Sequence, residues 1–275
     1  METNDLPPDA ARRGDVSTLM NFRAAALARL LADARVASVL EAGAGATGRL
    51  DRYSDLDFVL VASEGEYDSL LTGRVALAES LGPLLACFTG EHVGEPRLLI
   101  CLFETASGDH LLHVDLKVVR AEDLAHRVDD PLIHFDRTGA AGAAMAAAKA
   151  VWPERMSQWF EDRIWIWLHY AAARAGRGEL FEAIDSLGFI RGQVLAPMLS
   201  ARAGLPQRGL RHIEMVEGAA AALTKTLARP TRGDVRQALA ATANLYRELR
   251  EHDPPASPRR RAEELAIAYA ERALL

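Results

Sequence analysis

Two aspartates set two residues apart at the head of an apolar run, Asp55-Leu-Asp-Phe-Val-Leu-Val61, constrain this chain more than any other feature. A run this short and this branched reads as a strand. Side chains two apart in a strand project from the same face. Asp55 and Asp57 therefore stand side by side, while Leu56 and Phe58 turn towards a core. Two carboxylates held this close repel, and at least one stays protonated unless a cation sits between them. Mg²⁺ answers that need, because it takes oxygen ligands and keeps positions for water and phosphate.

A third carboxylate lies much further on. His113-Val-Asp-Leu-Lys-Val118 sets Asp115 inside an apolar strand, where an unpaired charge is costly. If that strand neighbours the first, three carboxylates can hold two metals about 3.5–4 Å apart, one activating a hydroxyl and one holding a triphosphate. Upstream, Gly43-Ala-Gly-Ala-Thr-Gly48 reads as a turn whose backbone N–H groups can approach phosphate oxygens closely. A dinucleotide-binding turn of similar glycine spacing opens a helix and meets its acidic residue about 20 positions on. Here a polar loop, Arg49 to Ser54, and a strand follow instead.

The surrounding pattern is mixed. Apolar spacing predicts a helix from Asp15 or Ser17 to about Ala34, with Leu19, Phe22, Ala26, Leu30 and Leu31 on one stripe. A strand follows from Val36 to Ala42, then a helix from Tyr67 to about Leu81. Apolar runs at Leu84–Phe88 and Leu98–Glu104 precede a strand over His110–Val119. Strands interleaved with helices predict an α+β domain built on a mixed sheet. The character changes near Asp129-Asp-Pro131, and residues 139–150, almost all Ala and Gly, read as a loose connector or a weak helix. Pro153 fits the first turn of a helix running through Trp159, Trp165, Trp167 and Tyr170. Further helices are expected over 178–203, 212–228, 231–251 and 259–274, making a bundle. The predicted organisation is an α+β domain over 15–130, a connector over 131–152 and a helical accessory domain over 153–275.

Charge narrows the partners. A formal net charge of −6 argues against duplex nucleic acid as the main ligand, since phosphate contact rewards a basic surface. The two cysteines have no metal-like spacing, which fits a reducing compartment. Residues 1–14 are polar with paired prolines and read as a frayed leader without a signal-peptide core. No stretch approaches about 20 uninterrupted apolar residues, so no membrane span is expected. A cytoplasmic location is the expectation.

A strand ending in a glycine turn, then about ten residues, then Asp-x-Asp, then a distant Asp flanked by apolar residues, resembles the polymerase-beta-like nucleotidyltransferase superfamily. The resemblance covers about residues 36–119, and the helical second half is similar to the accessory domain of bacterial aminoglycoside-type adenylyltransferases. It implies an N-terminal nucleotidyltransferase domain in which Asp55 and Asp57 bind Mg²⁺, Asp115 completes the site, and Gly43, Ala44 and Gly45 hold the phosphates of ATP. Ser54 matches the serine often found just before the aspartate pair. The family's serine after the first glycine is Ala44 here, so one side-chain contact to phosphate is missing. Backbone donors at Ala44 and Gly45 remain.

Softer candidates follow. By the same resemblance the bundle can supply a carboxylate base to the acceptor hydroxyl. Glu179 is the first choice and Glu182 the second, against a plain charge–dipole role at a helix start. Arg177 and Arg191 are either triphosphate contacts or surface ion pairs. His113 shares a face with Asp115 and reads as hydrogen-bonded rather than ligating. The Trp159–Trp167 aromatics suit a bundle core better than a base-stacking platform. Arg163 and His169 fall on different helix faces, and the run Arg259-Arg-Arg261 reads as a solvated helix start.

The implied reaction is attack of an acceptor hydroxyl on the α-phosphorus of ATP, in a cleft between the two domains. The acceptor is expected to be a small hydroxylated molecule, with an aminoglycoside-like antibiotic and hence antibiotic resistance as one option. Transfer to a protein, as in antitoxin-like members, and a weakly active nucleotide sensor are the alternatives. A homodimer is compatible with the sequence.

Overall fold

A computed structural model describes residues 15–105 and 111–274. The leader over 1–14 and His110, the expected first residue of a strand, lie outside the described residues. The chain divides into two compact units at Val151/Trp152. Among the described residues, no helix is long and apolar enough to cross a membrane.

The first unit is α+β. Its elements are α1 (Ser17–Ala32), β1 (Val36–Glu41), α2 (Gly43–Ala46), β2 (Leu56–Ala62), α3 (Tyr67–Thr72), α4 (Arg74–Leu81), β3 (Leu84–Gly90), β4 (Glu95–Glu104), β5 (Leu111–Val119), β6 (Leu132–Asp136) and α5 (Ala140–Ala147). The strands form one sheet in the order β3-β4-β5-β2-β1-β6. β2 and β5 run parallel, and the other neighbours are antiparallel.

Alternation along the strands explains both faces of this sheet. Leu56, Phe58 and Leu60 of β2 join Leu112, Val114, Leu116 and Val118 of β5 under Leu19, Ala26 and Leu30 of α1. Val61 and Val119 turn the other way and pack with Leu40, Leu124 and Ala141. Because β1 has a paired strand on each side and a core on each face, all six of its residues are buried.

Two local readings change here. The single helix expected over Tyr67–Leu81 divides at Gly73, which lies against the Arg35 guanidinium and the Ser69 carbonyl. The stretch 131–152, expected as a connector with a loose segment or a weak helix over 139–150, contains β6 and, within that segment, the helix α5. β6 is a five-residue strand interrupted by His134, too short for periodicity to announce. It forms because β1 offers a free edge, pairing Ser38 with Asp136 and Glu41 with Leu132. Asp136 then accepts hydrogen bonds from the Ser38 hydroxyl at 2.8 Å and the Gly142 N–H at 2.9 Å, tying the start of α5 to the strand.

The second unit is helical: α6 (Ser157–Gly176), α7 (Leu180–Ile190), α8 (Ala196–Arg202), α9 (Ala219–Thr224), α10 (Arg232–His252) and α11 (Arg260–Ala273). α6 begins at Ser157, later than Pro153 suggested, because the Gln207 side-chain amide pairs with the Arg155 backbone. Its Oε1 accepts the Arg155 N–H at 2.8 Å, and its Nε2 donates to the Arg155 carbonyl at 2.9 Å. The helix expected over 178–203 is interrupted by a π turn over Arg191–Leu195. Pro197 has no N–H to give the Gln193 carbonyl four residues back, and Arg155 Nη1 donates to that carbonyl instead at 3.2 Å. The helix expected over 212–228 reduces to a short 3₁₀ turn and α9, because Gly218 takes a left-handed φ of 73°.

Trp159, Trp165 and Trp167 serve this core. Trp165 packs edge-on against Tyr246, and Trp167 against Trp159 and Phe189. Beneath them the fully buried Glu161 accepts hydrogen bonds from the Tyr246 hydroxyl (2.6 Å), Trp165 Nε1 (3.1 Å) and the Arg259 N–H (2.7 Å).

Candidate active site

β2 and β5 are parallel neighbours, and their register sets Asp57 directly beside Asp115. Register partners in adjacent strands point to the same face, so both carboxylates leave the sheet on the side opposite Phe58 and Leu116. Asp55 sits one residue before β2. Burial pushes the Asp115 carboxyl above the usual range; His113 pulls it down, and the Asp55 charge pushes it further up. His113 Nε2 lies 2.9 Å from Asp115 Oδ1, with the imidazole half exposed.

The glycine segment is a single helical turn, α2, rather than an irregular loop. The Ala42 N–H donates to the Asp57 carbonyl at 2.8 Å, which fastens the start of the turn to β2. Gly43 has φ of 60°, and a Cβ there would overlap Asp57 Oδ2. Only glycine permits that backbone conformation and that approach together. Gly45 is buried, and a Cβ there would overlap Glu41. Each glycine of the turn thus gives its space to a carboxylate, Asp57 at one and Glu41 at the other. Ala44 carries no hydroxyl, and Thr47 Oγ1 is turned back onto the Ala44 carbonyl at 3.2 Å. The Ser54 hydroxyl accepts from the Asp51 N–H at 2.9 Å and donates to Asp51 Oδ1 at 3.1 Å, so it closes the turn that leads into β2.

Glu41 is the residue that sequence reasoning passed over. Its side chain is fully buried, whereas its partners Arg23 and His134 each keep 17% exposure. Arg23 Nε lies 3.0 and 2.9 Å from the two carboxylate oxygens, and Arg23 Nη2 lies 2.5 Å from Oε2. His134 Nε2 is 2.6 Å from the same Oε2. Arg23 Nη2 also lies 3.2 Å from that nitrogen, so the three side chains form one cluster. A lone acid at the end of a branched apolar strand was the available signal, and it is the argument that singled out Asp115.

The donor set suits a hard cation: three carboxylates, two of them register partners, with Asp115 held partly out of water. Among the described residues, however, no group of three His, Cys, Asp or Glu side chains stands in metal-holding geometry. Further along β5, Lys117 pairs with Glu95 at 2.8 Å, and Arg97 reaches the same carboxylate at 2.7 Å. Those bonds hold Glu95 down at about 2 against the opposing effect of burial.

The remaining candidates belong to the second unit. Glu179 precedes α7 and pairs with Arg174 at 2.9 Å; Glu182 pairs with the same arginine at 3.2 Å and accepts from the Tyr170 hydroxyl at 2.6 Å. Arg191 donates to the Thr226 carbonyl at 2.8 Å. Arg163 lies over the Trp159 ring, and His169 packs on Tyr269. Arg177 caps the end of α6.

No family model matches the sequence, and no curated protein does. Among solved structures, an aminoglycoside 6-adenyltransferase from Bacillus subtilis aligns over 91% of this chain and 96% of its own, at 12% identity and a TM-score of 0.37. A score that low superposes elements without establishing a shared fold.

Proposed function

We propose that this chain is a metal-dependent nucleotidyltransferase, which moves a nucleoside monophosphate, AMP from ATP, onto a hydroxyl of a small acceptor. One observation carries the reading: Asp57 and Asp115 are register partners on parallel strands, with Asp55 one residue before β2 and a glycine turn against Asp57. In the proposed site Asp55, Asp57 and Asp115 hold Mg²⁺. When bound, the ion offsets the triphosphate charge and polarises the phosphorus under attack.

The protein's own groups then bind and orient. The first N–H groups of a helix have no intrahelical acceptor, so Gly43, Ala44 and Gly45 offer donors to phosphate oxygens without side-chain help. Ser54, whose hydroxyl closes the Asp51 turn leading into β2, is proposed to stand at the nucleotide site. A bond forms between the acceptor oxygen and the α-phosphorus, the bond to the bridging oxygen breaks, and pyrophosphate leaves. Glu179 is the proposed acceptor of the hydroxyl proton; its Oε2 pairs with Arg174, and its side chain is 40% exposed. An aminoglycoside-like antibiotic belongs in the first panel of acceptors.

The test is Mg²⁺-dependent ATP binding by calorimetry, with pyrophosphate release across hydroxylated acceptors. Asp55→Asn and Asp57→Asn should each lower turnover far more than tenfold, and retention within tenfold sinks the assignment. Ala44 favours a second reading, a nucleotide sensor, since no hydroxyl stands at that position of the turn. Tight ATP binding without pyrophosphate release, together with activity appearing in Ala44→Ser, would select it. Label passing from ATP to a protein in a lysate would select a protein acceptor instead.

A further inference from the structure

The chain has two cysteines in 275 residues, and the fold brings them together. Cys87 of β3 and Cys101 of β4 are antiparallel register partners, in a stretch where pairing is regular from Ala86 to Thr89. Both are free thiols, Cys101 buried and Cys87 half-buried, and both pack against the same core face. Directly opposed residues of antiparallel strands have Cα atoms about 4.5–5.5 Å apart. A disulfide needs roughly 4.4–6.8 Å between those atoms. Sequence spacing shows none of this, because thirteen residues, a turn among them, separate the pair.

We propose that Cys87 and Cys101 form a reversible thiol–disulfide couple, a redox modification site on the edge of the sheet. The inference is independent of the nucleotidyltransferase reading. β3 is an outer strand, held in the sheet by β4 alone, and outer strands are where a sheet opens most readily. The oxidant is a small disulfide of the glutathione class. Cys87, the more accessible thiol, loses its proton and attacks that disulfide, giving a mixed disulfide and one free small thiol. Cys101 then loses its proton and attacks the Cys87 sulfur; the second small thiol leaves and takes up a proton. Two protein thiols become one disulfide, and one oxidant disulfide becomes two thiols. Burial pushes the Cys101 thiol up to about 12, the Cys87 charge adding to it, so Cys101 is a poor first attacker and serves as the resolving group.

The experiment incubates the full-length protein with oxidised glutathione and reads intact mass, thiol content and linked peptides. The expected product is a monomer lighter by two hydrogens, with both thiols lost together, a Cys87–Cys101 peptide pair, and full reversal by dithiothreitol. Cys101→Ser should stop at one glutathione on Cys87, and Cys87→Ser should resist modification while folded. The oxidised wild type should melt several degrees higher. Thiols that stay titratable at equilibrium, a stable mixed disulfide in the wild type, or a covalent dimer would each overturn the proposal. Equal modification of the two serine variants would overturn the order of attack.

Discussion

Replacing Gly45 by alanine adds one methyl group at the point where α2 meets the Glu41 side chain. In an open helix that exchange would stabilise by up to about 1 kcal/mol. Here the new Cβ would overlap the Glu41 carboxyl. That carboxylate is fully buried and held by Arg23 and His134, so it has no free rotamer to retreat into. If Glu41 yields, a buried ion pair breaks, at about 3–5 kcal/mol, reduced because both partners keep contact with solvent. If the turn yields instead, overpacking costs about 1–3 kcal/mol, and part of the helix gain is lost in a turn of four residues. The cheaper route sets the outcome, a net loss of about 2 kcal/mol. For a unit of about 150 residues this lowers Tm by roughly 4–8 °C.

The assay exploits the tryptophans. All four, Trp152, Trp159, Trp165 and Trp167, lie in the second unit, so their fluorescence follows that unit while far-UV circular dichroism follows both. Urea unfolding by the two probes separates the units if they melt apart. Gly45→Ala should shift the circular dichroism transition of the first unit. In a Glu41→Ala background the same change should cost under about 0.5 kcal/mol, since the obstacle is gone. An unchanged midpoint in the wild-type background, or full cost without Glu41, refutes the reasoning.

Two further perturbations test the helical unit. Burial works against the charged form of Glu161, but the bonds from Tyr246, the Arg259 N–H and Trp165 outweigh it, and its carboxyl ends below the usual range. A depressed folded pKa contributes stability above the unfolded value, about 4.3, and that contribution is lost as pH falls through the folded one. Acid unfolding followed by tryptophan fluorescence should therefore steepen below about pH 4.5 in the wild type and flatten in Glu161→Gln; equal slopes would refute this. Among the described residues, Thr242 Oγ1, buried on α10, has no hydrogen-bond partner. Thr242→Val keeps the shape and removes the stranded hydroxyl, so it should stabilise by about 1 kcal/mol, and a lower urea midpoint would contradict the account.

Local pattern carried the reading a long way. The period-two spacing of β2 and the stripe of α1 are both properties of neighbouring residues. They need no knowledge of the rest of the chain. Where local pattern misled, Gly218 broke one helix by its own left-handed φ, and a distant partner was responsible in three other places. Gln207 keeps residues near Pro153 extended, the free edge of β1 recruits five unpromising residues as β6, and Arg155 takes the carbonyl that Pro197 leaves unbonded.

The candidate site divides the same way. That Asp55 and Asp57 share a face was an expectation from strand geometry, and Asp55 lies one residue before β2; Asp115 stood out as an acid in an apolar run. Its register against Asp57 is a matter of which strands pair, and in which direction. The burial of Glu41 between an α1 arginine and a β6 histidine, and the opposition of Cys87 to Cys101, are likewise facts of assembly. Backbone hydrogen bonding and side-chain periodicity act between near neighbours and can be read in order along the chain. Strand partnership is decided by the total core area buried when remote segments meet, and no single segment carries that quantity.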